Sequence, residues 1–320
     1  FLFSVVVLIY FNIPIESKID KADIGVTFSH RYSTDIGLNW KENYLAILDE
    51  LGVKKIRIPV YWDLVEKERD VYDFSNVDWQ LNEAQKRGVE VILVIGQKVP
   101  RWPECYVPEW IGDNDELRKE ELKDLLGVIV ERYKSNDAVR YWQVENEPFL
   151  RFGVCPKFDV DLLDEEIALV KNADESREVV ITDSGELSLW ILAAKRADVF
   201  GTTMYRNVYK EGWGYYVYPL GPRFFLFKTW LIEVFADQDD SIVIELQGEP
   251  WVTGWTVHKS LEEQFGSMNT EKLIENIEYA KQSGFSEIYV WGAEWWYWLK
   301  EEKNYPHLWE TARGIIENNN

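Results

Sequence analysis

Cysteine, methionine and histidine are scarce in this 320-residue sequence, which has two Cys, two Met and three His. The cysteines, Cys105 and Cys155, are too few for a disulfide framework, and neither lies in a CxxC pair typical of zinc or redox chemistry. Both fall between predicted strands on one face of the fold, so a single disulfide stays open if the compartment is oxidising. The histidines are widely scattered, and the sequence has no HExxH, GxSxG or phosphate-loop motif. We therefore expect no metal and no cofactor.

Positive charge is also in short supply, because 56 Asp and Glu stand against 35 Lys and Arg and the formal net charge is -21. A surface of this sign repels phosphate backbones, so nucleic acid is not an expected partner. Aromatic residues are abundant, with 16 Trp, 17 Tyr and 15 Phe. Indole faces pack well against the C–H faces of neutral sugars, which favours a carbohydrate partner, although many of these rings pack in a core.

One long hydrophobic run covers residues 1–15, which are almost continuously apolar. It is shorter than the roughly 18 to 20 residues of a membrane-spanning helix. We interpret residues 1–20 as a segment outside the catalytic fold, the remnant of an anchor or signal peptide, with a buried strand or docked helix as the alternative. This interpretation predicts an extracytoplasmic protein and leaves membrane anchoring through the segment open. The oligomeric state is not indicated by any pattern in the sequence.

From residue 24 onward, short β-branched runs alternate with segments of helical periodicity, which is the pattern of successive βα units. Eight runs predict strands at 24–28, 55–60, 89–95, 139–145, 178–183, 198–204, 241–246 and 287–292. Several are apolar throughout, as expected of parallel strands that are covered on both faces. Amphipathic segments between them predict helices at 40–51, 75–87, 115–134, 159–172 and 270–283.

Glycines mark the ends of three of these helices. Gly52, Gly88 and Gly284 stand where a left-handed C-cap before a strand favours glycine. Eight βα units over roughly 290 residues fit the usual size of a closed (β/α)8 barrel. We predict an α/β protein with a single (β/α)8 TIM barrel over residues 21–320. An open doubly wound sheet is the alternative, but no glycine-rich phosphate fingerprint follows the first predicted strand.

Two of the predicted strands lead into conspicuous carboxylates at their carboxyl ends, where barrel active sites lie. The fourth runs into Trp142-Gln143-Val144-Glu145-Asn146-Glu147-Pro148, and the seventh into Ile244-Glu245-Leu246-Gln247-Gly248-Glu249. Cleavage of an acetal needs one acid that protonates the leaving oxygen and one carboxylate that meets the developing oxocarbenium ion. A pair at roughly 5 Å gives retention, whereas a pair at about 6.5 to 9.5 Å leaves room for an inverting water. Two nearby carboxylates should also differ in protonation, one neutral and one ionised.

These motifs resemble those of the cellulase-like clan of retaining glycosidases, clan A, in which Asn-Glu ends strand four and a second Glu ends strand seven. The resemblance spans the whole barrel and implies that Glu147 is the general acid/base and Glu245 the nucleophile. Retention is implied by the resemblance and not by any spacing in the sequence. Glu145 and Glu249 are the alternatives for the two roles, and we prefer Glu147 and Glu245 because each fits its motif.

The resemblance also implies supporting roles for four residues. Arg57 resembles the arginine that keeps the nucleophile ionised, with a salt bridge inside the barrel as the alternative. Asn146 resembles the residue that binds the sugar 2-hydroxyl, Tyr205 the tyrosine bonded to the nucleophile, and Trp291 the aromatic floor of the subsite for the cleaved sugar. The sixth predicted strand lacks the His-x-Tyr of several families in the clan, so the close family stays open.

Weaker candidates are polar or aromatic residues in loops expected around the same cleft: His30, Trp62, Gln97, Glu249, Glu294 and Trp295. Most of the clan cuts β-linkages, so we predict hydrolysis of β-linked oligo- or polysaccharides, in exo or endo mode. A transglycosylase on the same site and a glycan-binding barrel without catalysis are the alternatives. An enolase-like magnesium barrel needs carboxylates on successive strands, and the fifth and sixth predicted strands offer Asp183 and Asp198 alone.

Overall fold

Eight parallel strands close into a barrel in the computed structural model, which describes residues 8–210 and 212–319. The barrel strands are β1 (Asp23–Thr27), β2 (Lys55–Pro59), β3 (Glu90–Ile95), β4 (Val139–Val144), β5 (Val179–Asp183), β6 (Val199–Met204), β9 (Ser241–Gln247) and β10 (Glu287–Trp291). Their order around the barrel is β1-β10-β9-β6-β5-β4-β3-β2, and every neighbouring pair is parallel. The predicted (β/α)8 barrel is therefore confirmed, with each strand within one residue of its predicted bounds.

The core has two layers, as expected for a barrel whose strands are covered on both faces. Inside the barrel a small cluster fills the space between the strands: Ile92, Tyr141, Val180, Val199, Ile242, Ile244 and Tyr289. Outside, a larger cluster joins the other faces of the strands to the surrounding helices. Strands β2, β3 and β5 are buried at nearly every position, which explains their continuous apolar sequences.

Helices surround the barrel at His30–Asp35, Trp40–Asp49, Trp62–Val65, Ser75–Lys86, Asp115–Tyr133, Val160–Ala173, Ile191–Ala194, Pro222–Ala236, Leu261–Ser267, Thr270–Gln282, Ala293–Lys303 and His307–Asn319. The five predicted helices all lie within two residues of their predicted bounds. Side-chain oxygens of Asn114, Asp159 and Asn269 cap three of them by accepting backbone N–H bonds. Gly88 and Gly284 have φ values of +64° and +90°, which confirms their C-cap positions.

Two elements near the active end had no clear signal in the sequence. A hairpin of β7 (Asn207–Lys210) and β8 (Gly214–Val217) follows β6. The helix Pro222–Ala236 comes next, and it buries Phe225, Lys228 and Ile232. Because its opposite face is also apolar, this helix lacks the polar stripe on which an amphipathic prediction depends.

The N-terminal segment contacts the barrel where the structure describes it. Residues 8–11 are helical, and the Phe11 ring packs on Phe224 and Phe227 at centroid distances of 5.4 and 5.8 Å. Among the described residues, no helix combines the length and apolarity that crossing a membrane requires. The prediction of an anchor or signal remnant rests partly on residues 1–7, which lie outside the described residues.

Candidate active site

Glu147 and Glu245 come to the carboxyl end of the barrel from different strands. Glu245 belongs to β9, whereas Glu147 lies in the turn just after β4. Both side chains are nearly buried, with relative exposures of 7% and 4%. They lie close enough for the charge of Glu245 to raise the pKa of Glu147. The two predicted carboxylates are therefore brought into one site.

Glu245 is held by two donors. Arg57 Nη1 donates to its Oε1 at 2.6 Å, and the Tyr205 hydroxyl donates to its Oε2 at 2.9 Å. The remaining guanidinium donors of Arg57 reach Gln143 Oε1 and Asn146 Oδ1, both at 2.7 Å. Glu245 therefore accepts one charge-assisted bond and one neutral bond. Arg57 is fully buried and forms a salt bridge with Glu245. The predicted contact with Glu245 and the alternative of a salt bridge inside the barrel are therefore the same interaction.

Glu147 has the opposite environment. Burial, followed by the charges of Glu245 and Glu104, raises the pKa of Glu147 well above its usual value. Its Oε1 accepts one bond, from Thr203 Oγ1 at 3.1 Å, and its backbone N–H donates to Thr182 Oγ1 at 2.7 Å. Burial therefore favours the protonated form of Glu147, and the one bond from Thr203 opposes this effect.

The backbone of this turn is unusual. Glu145 and Glu147 have φ values of +58° and +43°, the left-handed region that costs non-glycine residues energy. Glu145 stabilises the turn from behind, since its carboxylate accepts the backbone N–H groups of Gln97 and Lys98, each at 2.8 Å. Burial raises the pKa of Glu145 to about 7. With both oxygens occupied by the loop after β3, Glu145 faces away from Glu245.

Trp291 lies at the same end of the barrel, but its ring is not a bare floor. The Arg101 guanidinium lies between the Tyr32 and Trp291 rings, 3.6 and 3.8 Å from their centroids. Trp291 Nε1 donates to Glu249 Oε1 at 2.8 Å, and Arg101 bonds to both Glu249 and Glu294. Trp291 lines the cleft, and Arg101 covers one side of its ring.

Glu249 and Glu294, two of the weaker candidates, thus join the site through Arg101. Glu294 also accepts the backbone N–H of Ser29 at 2.7 Å and is fully buried. Burial raises the pKa of Glu294, while the Arg101 charge opposes this effect. Both carboxylates hold the arginine that covers Trp291, and neither takes the place of Glu245 beside Arg57.

The other weaker candidates do not line this cleft. Trp62 and Trp295 are fully buried, and their indole nitrogens donate to Glu66 and Gln264. Gln97 turns its side chain outward to accept a bond from Arg118. These three predictions were wrong. A position near the end of a strand does not determine whether the side chain points towards the barrel mouth, and these side chains point to other partners.

His30 is also outside the cleft, at the start of the helix His30–Asp35. Its ring lies 5.4 Å from each of the Trp40 and Tyr61 rings, and neither nitrogen has a hydrogen-bond partner among the described residues. Burial, followed by the Arg31 charge, lowers the pKa of His30 to about 4. The imidazole is therefore neutral and packed, not exposed to a substrate.

The cleft beside Trp291 has a volume of about 460 Å³. Several aromatic and charged side chains line it: Tyr32, Arg101, Trp102, Glu104, Phe152, Tyr205, Glu249, Trp251, Trp255 and Trp291. The Tyr32 and Trp255 rings stack with an interplanar angle of 9°, and Tyr205 meets Trp251 edge-on at 5.1 Å. A pocket of this size with aromatic walls suits one or two sugar rings.

Sequence reasoning missed Arg101 and Glu104 entirely. Both lie in the long loop after β3, which is tied to the loop after β4 by a disulfide between Cys105 and Cys155. The available signal was their position after a strand end, which many loop residues share. Away from the cleft, Glu66, Asp70 and Glu121 form an acidic cluster, but Trp62 and Arg69 already bond to it.

Comparison with known proteins agrees with this geometry. The family described as cellulase, glycosyl hydrolase family 5, matches residues 20–271. The barrel is similar to a β-galactosidase from the haloarchaeon Halorubrum lacusprofundi, with 15% identity, a TM-score of 0.65, and coverage of 92% of this chain and 57% of that one. It is also similar to xylanase 10B from Thermotoga maritima, with 15% identity, a TM-score of 0.58, and coverage of 93% and 95%.

A third similar structure is GH5_18 from Bifidobacterium longum, with 13% identity, a TM-score of 0.58, and coverage of 85% of this chain and 70% of that one. The chain spans 57% of the first of these relatives, so it corresponds to little more than half of that protein. Identities this low establish a shared fold, whereas the family match covers most of the chain. The protein therefore belongs to the cellulase family, glycosyl hydrolase family 5, and has the fold of a (β/α)8 barrel.

Proposed function

We propose that this protein hydrolyses β-linked oligo- or polysaccharides by double displacement, with Glu147 as acid/base and Glu245 as nucleophile. The contrast between the two carboxyl groups carries the proposal. Arg57 and Tyr205 donate to Glu245, whereas burial raises the pKa of Glu147. Titratable groups whose surroundings favour opposite protonation states are the pair that acid and nucleophile roles require.

The reaction has two steps. First, Glu147 gives its proton to the glycosidic oxygen while a Glu245 oxygen attacks the anomeric carbon, so the glycosidic C–O bond breaks and a glycosyl-enzyme forms. The Glu147 carboxylate then takes a proton from water as that water attacks the same carbon. The sugar leaves with its configuration retained, Glu245 regains its charge, and Glu147 regains its proton.

The surrounding residues have supporting roles in this proposal. Arg57 keeps Glu245 ionised and aimed, and Tyr205 orients its second oxygen. Asn146 presents its amide to the sugar 2-hydroxyl, and Arg57 fixes that amide through a bond to its Oδ1. Trp291 forms a wall of the subsite together with the arginine stacked on it.

We propose a neutral substrate. Glu104 and Glu249 line the cleft, and Arg101 is already paired with Glu249 and Glu294. An acidic sugar would find Arg101 already shared between two carboxylates, whereas neutral rings suit the exposed Trp102 and Trp255. Two of the similar structures are described as a β-galactosidase and a xylanase, so galactosides and xylosides are tested together with glucosides and mannosides.

The test is hydrolysis of an aryl β-glycoside panel of glucoside, mannoside, galactoside, xyloside and their short oligomers. We expect wild type to cleave at least one sugar, Glu245→Ala to be inactive, and azide to restore turnover of Glu245→Ala as the glycosyl azide. Glu249→Ala is the comparison, because azide rescue of that variant would move the nucleophile to Glu249. Products longer than the substrate would indicate a transglycosylase, and binding without cleavage would contradict the enzyme.

We also propose that residues 21–320 form the catalytic domain and that the protein is extracytoplasmic, with its N-terminal apolar segment at a membrane surface. The Cys105–Cys155 disulfide suits an oxidising compartment. Leu8 and Ile9 expose apolar side chains near the helix Pro222–Ala236, whose outer face exposes Trp230 and Phe235, among others. Aromatic and aliphatic side chains of this kind bind lipid interfaces.

Sedimentation with phosphatidylcholine vesicles tests the membrane proposal. Full-length protein should bind, and Trp230→Ser/Phe235→Ser should bind at least about tenfold more weakly, since each large apolar side chain contributes roughly 1.5 to 3 kcal/mol when buried. Val71→Ser is the control, because Val71 is equally exposed but belongs to a different region of the surface. Equal binding by all three proteins, or none by wild type, would contradict anchoring at this surface.

A further inference from the structure

A third carboxyl group lies beside the catalytic pair. Glu104, in the loop after β3, is 7% exposed and lines the same cleft as Tyr205 and Trp291. Asn146 Nδ2 donates to its Oε2 at 3.2 Å. This residue has no part in the two-step reaction described above, yet it contacts the amide assigned to the substrate 2-hydroxyl.

The loops hold Glu104 tightly. Its backbone N–H donates to the Arg101 carbonyl at 2.7 Å, and its carbonyl accepts from Val99 at 2.9 Å. Gly153, from the loop after β4, packs against it so closely that a Cβ at this position would lie 2.6 Å from Glu104 Cβ. The neighbouring residue, Cys105, joins the two loops through its disulfide. Glu104 itself has a φ of +75°, a costly conformation that this packing maintains.

The contacts of Asn146 explain why this placement matters. Its Oδ1 accepts from Arg57 Nη2 at 2.7 Å, while its Nδ2 donates to Glu104. An amide turned by 180° would place its NH₂ group against the Arg57 donor and its oxygen against the Glu104 acceptor. Arg57 and Glu104 together therefore define one amide orientation, which leaves one N–H of Asn146 for a ligand.

Charged groups surround Glu104 on several sides. Its positively charged neighbours are Lys98 and Arg57. The carboxyl groups of Glu245 and Glu147 and the phenol of Tyr106 are also close enough to interact with it electrostatically. Burial, followed by the Glu245 charge, raises the pKa of Glu104 to about 8. At pH 7 the Glu104 carboxyl group is therefore mostly protonated. Above about pH 8 it becomes negatively charged, and this charge raises the pKa of Glu147 further.

We propose that Glu104 is a positioning residue of the active site, which orients the Asn146 amide towards the substrate 2-hydroxyl. The inference rests on the proposed function of this site. A residue that merely fills space would not depend on an oxygen that accepts the Asn146 bond, whereas Glu104 does.

The experiment compares Glu104→Gln and Glu104→Ala with wild type, using full-length protein and the aryl glycoside that wild type cleaves. Gln keeps the shape and an acceptor for Asn146, so kcat/KM near pH 6 should stay within about threefold of wild type. Ala removes the acceptor, so kcat should fall about tenfold, as for one lost hydrogen bond. On the matching 2-deoxy glycoside the Ala variant should lose little, because the Asn146 contact is then absent.

The 2-deoxy substrate and the Gln variant separate a positioning role from a general loss of structure. Equal losses of the Ala variant on the 2-hydroxy and 2-deoxy substrates, or an equal loss of activity in Glu104→Gln, would overturn the inference while wild-type activity upholds the proposed function. If wild type cleaves no glycoside, the proposed function fails first and the inference falls with it. Thermal unfolding of both variants shows whether the Ala loss reflects folding, and rescue by Gln excludes that cause.

Discussion

Replacement of Glu147 by Gln should make the folded protein more stable while it removes activity. The side chain is buried at the end of β4, and its pKa is raised well above the usual value of 4.5. A carboxyl group of this kind binds its proton more tightly in the folded state than in the unfolded state. As pH rises above about 4.5, the unfolded chain releases the proton while the folded protein retains it, so stability falls.

The size of the effect follows from the titration. Each pH unit between 4.5 and the raised folded value costs about 1.4 kcal/mol of unfolding free energy, and the cost stops growing above the folded value. Gln has nearly the same shape, accepts the Thr203 bond through its amide oxygen, and does not titrate. The stability difference in favour of Glu147→Gln should therefore be small near pH 4.5 and increase as the pH rises towards the folded-state pKa of Glu147.

Urea unfolding at several pH values measures this difference, with the exposed Glu68→Gln as the control variant. The control should unfold like wild type at every pH, because its carboxyl group lies in solvent. In activity assays on glycosides with poor leaving groups, the kcat of Glu147→Gln should be lower than that of wild type by a factor of about 10² to 10⁴, which is the usual contribution of a general acid. A Glu147→Gln variant that is less stable than wild type, or equally more stable at all pH values, would refute the reasoning.

Three further variants test other contacts of the site. Arg57→Met should destabilise the protein by about 3 to 5 kcal/mol, because it leaves the buried Glu245 charge unpaired, and the double variant with Glu245→Gln should cost less than the sum of the single variants in a urea double-mutant cycle. Tyr205→Phe should lower kcat by about 10- to 100-fold through loss of a bond to a charged acceptor, without a matching loss of stability in thermal unfolding. Cys105→Ser/Cys155→Ser should lower the unfolding free energy by at most about 4 kcal/mol, from a cross-link across 50 residues, and an unchanged midpoint in non-reducing urea would argue against the bridge.

Much of the site followed from position along the chain. Glu245 lies within a strand, and Asn146 and Glu147 directly follow one, so the count of strands sufficed to place them at the same end of the barrel. Trp62 and Trp295 were equally close to strand ends but turned into the core, where indole nitrogens met Glu66 and Gln264. The direction of a side chain in a loop depends on packing partners that are distant in sequence.

Arg101 illustrates the same limit from the other side. It is separated from Tyr32, Glu249 and Trp291 by long stretches of sequence, and no local pattern links them. Because of these contacts, the Arg101 guanidinium covers one side of the Trp291 ring that was predicted to form the floor of a subsite. The loop between β3 and the helix Asp115–Tyr133 has no hydrophobic periodicity that would predict its structure. It contains only a short 3-10 turn and no strand of the barrel.

By itself, the amino-acid sequence determined the barrel, its eight strands and the two carboxylates, because the βα period and the strand-end motifs are local properties of the chain. Tertiary structure alone decided the burial that raises the pKa of Glu147, the Arg101 stack and the place of Glu104. Each of these depends on burial and on charges from separate loops, and a disulfide between two such loops helps to hold them. Burial and distance between remote residues exist only once the chain has closed into its barrel.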